Sequence, residues 1–123
     1  MARHNPVGWF EIYVQDMARA RRFYEMVLET GLEQLPSPEI EMWAFPMSAE
    51  ASGTSGALVK VPGVPSGGST LVYFTCDDCA VEGGRVPGAG GKVHRDKMSI
   101  GQYGFIVLAV DTEGNMFGLH SMK

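Results

Sequence analysis

The acidic residue best placed to do chemistry is Glu11, in the run WFEIY at positions 9–13. In an extended chain, Trp9, Glu11 and Tyr13 share one face. A carboxylate among aromatic rings loses solvation, which raises its pKa toward neutrality and suits it to proton transfer. The structural alternative is a carboxylate that pairs with an arginine or accepts a hydrogen bond from a tyrosine.

His120 is the second candidate, because an imidazole can exchange protons near neutral pH or bind a substrate carboxylate. Its alternative is a hydrogen-bonded structural histidine near the end of the chain. If Glu11 and His120 face one cavity, they can move a proton together, but the sequence does not show that they meet. His94 lies in the basic run KVHRDK at 92–97, which predicts a solvated loop.

The run CDDC at 76–79 places two cysteines at a predicted junction of strand and helix. Redox dithiols often occupy such a junction, where a helix N-terminus stabilises a thiolate. Here, two intervening aspartates oppose thiolate formation, and no second cysteine pair completes a zinc site. We therefore interpret Cys76 as an apolar strand residue.

The elements that must position these residues follow a β-α-β-β-β order in the first half of the chain. Asp16 fits the N-cap of a strongly amphipathic helix, and Gly31 is predicted to stop it. This first module covers about 5–61. Its predicted elements are a strand at Val7–Val14, a helix that starts at Met17 and stops at Gly31, and strands at Leu32–Leu35, Ile40–Pro46 and Gly56–Val61.

A linker rich in proline, glycine and serine at 62–69 leads to a second module at 70–123. Asp78 occupies the cap position that Asp16 has in the first module. Gly83, Gly84 and Pro87 weaken the helix that follows, so we expect a short, irregular or mobile segment there. It is interpreted as a degenerate surface turn, and the alternative is a lid over the cavity. The predicted strands are Thr70–Cys76, Lys92–His94, Tyr103–Val110 and Met116–Ser121, with a turn at Asp111–Asn115.

The β-α-β-β-β order thus occurs twice, which predicts an α+β fold in one domain over residues 1–123. Each module is too small to bury a core alone, so we expect the two to pair their sheets.

This pattern resembles the vicinal oxygen chelate superfamily, which includes glyoxalase I, bleomycin-resistance proteins and extradiol dioxygenases. The resemblance is carried by EIYVQD at 11–16 with ARRFY at 20–24, by YGF at 103–105 with DTEGN at 111–115, and by GLH at 118–120. It implies two βαβββ modules that form a curved mixed sheet around a cavity for a small molecule.

In the metal enzymes of that superfamily, four ligands come from the first and last strands of each module. Carried over place by place, they fall near Trp9, at Gly56 or Leu58, at Leu71 and at Gly118. None of these side chains can ligate a divalent metal. We therefore predict no metal and no cofactor.

The resulting hypothesis is a metal-free protein that binds a small organic molecule in its sheet cavity, as bleomycin-binding relatives do. The alternatives are a metal-dependent lyase, isomerase or dioxygenase, a metal-free acid–base enzyme using Glu11, and a small interaction module. The predicted catalytic residues are Glu11 and His120. The predicted ligand contacts are Trp9, Tyr13, Trp43, Tyr73, Thr75, Phe105 and Met116.

The composition of the chain argues against other classes of protein, such as nucleic-acid-binding and membrane-spanning proteins. The chain has 123 residues, of which 10 are Lys or Arg and 14 are Asp or Glu, for a net charge of −4. This acidic balance disfavours nonspecific nucleic-acid binding. The sequence has no apolar run of the roughly 20 residues that a membrane span needs, and no apolar signal segment at its start. With two cysteines only, we expect a cytoplasmic protein. The resemblance and the chain's small size also predict a homodimer.

Overall fold

The computed structural model describes residues 5–50, 53–66 and 70–123. Its element order is β-α-β-β-β twice, which confirms the predicted α+β fold of two βαβββ modules. The first module consists of β1 (Val7–Tyr13), α1 (Met17–Leu28), β2 (Glu33–Leu35), β3 (Glu41–Ala44) and β4 (Gly56–Lys60). The second consists of β5 (Thr70–Thr75), α2 (Cys79–Arg85), β6 (Lys92–Ser99), β7 (Phe105–Val110) and β8 (Met116–Ser121).

The chain folds as two compact units. The first unit is Phe10–Thr70, and the second contains Leu71–Lys123 together with the start of β1 up to Trp9. The boundary therefore falls within β1, between Trp9 and Phe10. None of the helices in the described parts of the chain is long and apolar enough to cross a membrane.

The first unit orders its strands β2-β3-β4-β1, with β1 and β4 parallel and the other pairs antiparallel. Helix α1 covers one face of this sheet. Met17 of the helix and Leu58 of β4 belong to one buried cluster, and Ile12 and Tyr24 pack against it. Because side chains alternate along a strand, Glu11 and Tyr13 lie on the face away from α1.

Helix α1 begins as the sequence predicts, because the Asp16 side chain accepts a 3.0 Å hydrogen bond from the Arg19 N–H. The predicted stop at Gly31 is wrong. Glu29 adopts the left-handed conformation (φ 51°) and donates its N–H to the Glu25 carbonyl, which ends the helix at Leu28. The Glu25 carboxylate then accepts the Leu32 N–H at 3.0 Å, so the chain has turned before Gly31 could act as the cap.

The second unit orders its strands β5-β8-β7-β6, with β5 and β8 parallel and the other pairs antiparallel. Its core lies between this sheet and α2, where Cys76, Cys79, Val107 and Leu119 are buried together. The Cys79 N–H also donates a 2.9 Å hydrogen bond to the Ser121 hydroxyl, which joins the start of α2 to the end of β8.

The segment is short, as predicted, but the interpretation as a degenerate surface turn is wrong, because Cys79–Arg85 forms a capped helix. Asp78 accepts the Ala80 N–H at 3.0 Å. Gly83 is buried, and a Cβ there would lie 3.3 Å from both methyl groups of Val107. The missing side chain therefore lets the helix approach the sheet, and this packing outweighs the poor helix propensity of glycine.

Strand β6 is longer than predicted and extends from Lys92 to Ser99, so His94 lies exposed on a strand and not in a loop. Its pairing with β7 shifts register on both sides of Arg95. Strand β7 starts later than predicted, at Phe105, because a single 3-10 turn occupies Gly101–Tyr103. The turn at Asp111–Asn115 forms as predicted, with the Asp111 carboxylate accepting two backbone N–H groups and Gly114 at φ 86°.

Candidate functional site

In each unit, the sheet face that the unit's own helix does not cover is called the open face below. In the first unit, this face carries a buried carboxylate. Glu11 is only 8 % exposed, and the Tyr13 phenol donates a 2.8 Å hydrogen bond to its Oε1. The neighbours across the parallel ladder are Ala57 opposite Glu11 and Val59 opposite Tyr13, both fully buried. The structure therefore contains the carboxylate–tyrosine hydrogen bond that was the structural alternative to a proton-transfer role for Glu11.

Trp9 precedes Glu11 by two positions and shares its side of β1. It is half-buried, and it belongs to the second unit, not the first.

In the second unit, the open face brings three of the predicted residues together. Tyr73 pairs with Gly118 and Thr75 pairs with His120 across the parallel β5–β8 ladder. Tyr73 is 8 % exposed, and its ring lies against the α-carbon of Gly118, where a Cβ would overlap Cδ2 and Cε2 of the ring. Met116 lies at the start of β8, opposite Val110.

His120 is oriented by the backbone. Its Nε2 lies 2.6 Å from the Tyr103 carbonyl oxygen. A carbonyl can only accept, so Nε2 carries the hydrogen and donates. In the neutral ring this leaves Nδ1 as an acceptor, which a substrate hydroxyl could use.

Trp43 and Phe105 lie on the opposite, helix-covered faces of their sheets. The Trp43 ring packs against the α1 cluster and lies under the Arg21 guanidinium, whose Cζ is 3.5 Å from the ring centroid. Phe105 packs against the α2 cluster, with the Lys97 ammonium 4.8 Å from its ring centroid. Trp43 pairs with Leu58, which pairs with Ile12, so Trp43 lies on the face opposite to that of Glu11. Phe105 lies on the face opposite to that of His120, because its neighbour Ile106 pairs with His120.

The places that the superfamily uses for metal ligands hold no suitable donors. On β4, the face of Glu11 is taken by Ala57 and Val59; Gly56 and Leu58, the positions expected from the sequence, lie on the other face. Leu71 is buried and Gly118 lies under Tyr73. Among the described residues, no group of three or more His, Cys, Asp or Glu side chains comes together as a metal site. These residues do not fit the metal of the superfamily's enzymes.

Cys76 and Cys79 are buried and do not form a disulfide. Burial, with the nearby Glu82 carboxylate, raises the pKa of the Cys76 thiol to about 11. A thiol that stays protonated at neutral pH is a poor nucleophile and a poor metal ligand. This agrees with the interpretation of Cys76 as an apolar strand residue.

One feature of the second unit was not predicted from the sequence, namely a cleft between α2 and β6. It has a volume of about 410 Å³ and is lined by Gly83, Gly84, Val93, Asp96 and Lys97 among others. The signal in the sequence that could have indicated this cleft is the glycine pair of α2, because residues without side chains leave space beside a helix.

No protein-family model matches the sequence, and none of the curated proteins matches it at a significant level. Solved structures do match. Methylmalonyl-CoA epimerase from Mycobacterium tuberculosis is 13 % identical with a TM-score of 0.72, and the match covers 100 % of this chain and 93 % of that one. The epimerase of Streptomyces coelicolor, in complex with 2-nitronate-propionyl-CoA, is 13 % identical with a TM-score of 0.69 and coverages of 94 % and 96 %.

A third structure bears the name NAD-dependent benzaldehyde dehydrogenase from Legionella pneumophila. It is 18 % identical with a TM-score of 0.62, and the match covers 94 % of this chain and 98 % of that one. The named activities of these proteins differ, so the similarity bears on architecture and not on the reaction. The chain has a glyoxalase-like fold.

Proposed function

We propose that this protein binds a small organic molecule on the open faces of its sheets, without a metal at the superfamily's ligand places. The observation that carries the proposal is the Tyr73 ring against Gly118. An aromatic side chain fills the space that an acidic ligand from the last strand would need. The same ring offers an apolar surface of the kind that lines small-molecule sites.

The open face of each unit, taken by itself, offers its own kind of contact. In the first unit, the buried Glu11 carboxylate, which accepts a hydrogen bond from Tyr13, supplies negative charge. In the second, the Thr75 hydroxyl and the His120 imidazole supply hydrogen-bonding groups next to the Tyr73 ring. A few polar groups set on an apolar wall fix the orientation of a ligand, while the wall supplies most of the buried area.

The ligand class to test is an organic acid or thioester with an apolar portion, because its carboxylate or carbonyl oxygen can accept a hydrogen bond from the Thr75 hydroxyl of the second unit. The solved complex of the Streptomyces coelicolor epimerase contains an acyl-CoA analogue, which supports thioesters as the first class to test. Aromatic acids are the second class, because Tyr73 offers a ring for stacking.

A second candidate function is metal-free acid–base catalysis by Glu11. It is favoured by one observation: the carboxylate is 8 % exposed and bonded to a phenol. A desolvated carboxylate can remove a proton from the carbon next to a carbonyl group. The transfer leaves an enolate on the ligand and a carboxylic acid at Glu11. Before the transfer, the Tyr13 phenol stabilises the negative carboxylate by its hydrogen bond. An epimerisation is a reaction of this type.

The test combines metal analysis with ligand screening. The protein is purified without chelators, its metal content is measured, and its melting temperature is recorded with acyl-CoA thioesters and aromatic acids. We expect substoichiometric metal and a concentration-dependent rise in melting temperature with one of these classes. Thr75→Val and His120→Gln should reduce that rise, whereas Val81→Glu on the exposed side of α2 should not.

Two results would contradict the proposal. One is a stoichiometric divalent metal that is lost in Glu11→Gln or His120→Gln. The other is the absence of any ligand-dependent rise with both classes. Proton exchange at the α-carbon of a bound thioester, abolished by Glu11→Gln with binding retained, would favour the catalytic candidate over simple binding.

A further inference from the structure

The cleft between α2 and β6 lies on the helix-covered face of the second unit. It has a volume of about 410 Å³, which is the size of sites that hold small organic molecules. Its apolar lining consists of Ala80, Pro87, Val93 and Val107. Val107 pairs with Leu119, the neighbour of His120 along β8, so the cleft and the open face lie on opposite sides of the sheet. A ligand in the cleft is therefore separate from the ligand of the proposed function.

A bulge in β6 turns two consecutive charged side chains toward this cleft. The pairing with β7 shifts register between Arg95 and Met98, so that Asp96 and Lys97 both lie opposite the single residue Val107. On a regular strand, two neighbouring side chains face opposite sides of the sheet. In a bulge they can face the same side, and both of these residues line the cleft. The bulge thus adds an anion and a cation to an otherwise apolar wall.

The cation is already engaged, and the anion is available. The Lys97 ammonium donates a 2.9 Å hydrogen bond to Asp78 and lies 4.8 Å from the centroid of the Phe105 ring. The Asp96 carboxylate is exposed. Within the described parts of the chain, no hydrogen bond or ion pair to this carboxylate is found. Two carboxylates and one ammonium at this end of the cleft leave one negative charge uncompensated.

The other cations of β6 lie on the opposite side of the sheet. Lys92 pairs with Val110 and Arg95 pairs with Leu108. These two partners alternate with Val107 along β7, so they and the cations opposite them face away from α2. The basic character of the strand as a whole therefore belongs to its other face, and the charge that faces the cleft is negative.

We infer that the cleft between α2 and β6 binds a small organic cation, namely a primary amine that carries an apolar or aromatic group. The ammonium pairs with the Asp96 carboxylate at the rim, and the apolar group packs on Val93 and Val107. Gly84 leaves open space on the side of α2, because a Cβ there would meet nothing within 4 Å. An organic acid is disfavoured, since Asp78 and Asp96 repel a further carboxylate beside Lys97.

The experiment is a titration of the full chain, labelled with nitrogen-15, with three probes that differ in charge. The probes are 2-phenylethylamine, the neutral 2-phenylethanol and the anionic 3-phenylpropionate. We expect saturable amide shifts at Gly83, Gly84 and Val93, with a dissociation constant of about 0.1–1 mM for the amine. The alcohol should bind about three- to fivefold more weakly, because an exposed ion pair contributes little, and the acid should bind more weakly still.

Two substitutions with matched controls assign the contacts. Asp96→Asn should weaken amine binding by about three- to fivefold and leave alcohol binding unchanged. Its control is Glu33→Gln, which removes the same charge from an exposed residue of β2 in the first unit. Ala80→Leu fills the cleft and should weaken all three probes by about tenfold. Its control is Val81→Leu, at the next residue of α2, which is exposed and does not line the cleft.

Four results would overturn the inference. They are an amine that produces no saturable shift at the cleft at about 10 mM, an alcohol or acid that binds as tightly as the amine, an Asp96→Asn variant with unchanged amine affinity, and a folded Ala80→Leu variant with unchanged affinity for all probes. The amide spectrum of each variant shows whether it is folded. The thioester and aromatic-acid screen concerns the open faces, so its failure leaves these outcomes unaffected.

Discussion

The ring of Tyr73 lies against the α-carbon of Gly118, its direct neighbour across the parallel β5–β8 ladder. Gly118 stands where the resemblance to the vicinal oxygen chelate superfamily places an acidic metal ligand. The two residues therefore form one structural pair, in which the absence of a side chain at one position makes room for a ring from the other. The aromatic surface of the second unit depends on this pairing.

Gly118→Ala should lower the free energy of unfolding by roughly 1–3 kcal/mol, because the new Cβ overlaps the Tyr73 ring and forces it to move. Urea denaturation measures the change. Gly31→Ala is the control, since a Cβ there meets nothing within 4 Å and should be neutral or slightly stabilising. Equal stability of the two variants would show that Tyr73 does not need the glycine.

The two adjacent glycines of α2 should respond in opposite ways to alanine. Gly84→Ala points into open space and should raise the free energy of unfolding by about 0.5–1 kcal/mol through helix propensity. Gly83→Ala brings a Cβ within 3.3 Å of the Val107 methyl groups and should be less stable than Gly84→Ala by roughly 1–2 kcal/mol. Thermal and urea unfolding of the pair check this, and equal gains in both variants would contradict the close packing.

Stability should fall at alkaline pH because of the Cys76 thiol. Its pKa is raised from 9.0 in the unfolded chain to about 11 in the folded protein. Between these values the unfolded state loses the proton and the native state keeps it, so unfolding becomes easier as the pH rises, by at most about 3 kcal/mol. The measurement is urea unfolding from pH 8 to 11. Cys76→Ala should show a shallower decline, and identical slopes would refute the assignment.

Tyr13→Phe should lower the free energy of unfolding by about 1.5–3 kcal/mol, because it removes a hydrogen bond to a buried carboxylate. Tyr103→Phe, at a tyrosine that is 42 % exposed, serves as the control and should change stability by less than about 0.5 kcal/mol. In a double-mutant cycle with Glu11→Gln, the two substitutions should not be additive. Additive effects would mean that the phenol and the carboxylate do not interact in solution.

Acid should weaken the contact between α2 and β6. The Lys97 ammonium, 2.9 Å from Asp78, lowers the pKa of this carboxyl below its ordinary 3.8, and the Ala80 N–H adds to the effect. Asp78 therefore stabilises the fold above that ordinary value, and its contribution is lost as the pH falls through the lowered pKa. Lys97→Met keeps the cap and removes the ion pair, so its acid unfolding profile should be flatter. A profile parallel to that of the unchanged protein would contradict this.

The local elements were predictable because their causes are local. The apolar periodicity of α1, the Asp16 cap and the turn at Asp111–Asn115 depend on residues a few positions apart, and the structure has each of them. The predictions of local structure were wrong where contacts between residues far apart in the sequence determined the conformation. Gly83 reads as a helix breaker in the sequence, yet it allows α2 to pack on Val107, which is remote in the chain.

For the candidate site, strand alternation was enough to place Glu11 and Tyr13 on one face, because the side-chain period of a strand is two. It could not show that the phenol would hold the carboxylate. Nor could aromatic character alone separate Tyr73 from Trp43 and Phe105, since a ring suits a core and an open face equally well.

The amino-acid sequence by itself determined the twofold βαβββ order, the capped first helix and the lack of metal donors at Leu71 and Gly118, because these follow from residue types and short-range spacing. Only the tertiary structure decided which aromatic rings lie on the open faces, that Tyr73 covers Gly118, and that α1 leaves Phe23 and Met26 exposed. These properties depend on strand register and on helix–sheet packing, which residues far apart in the chain determine together.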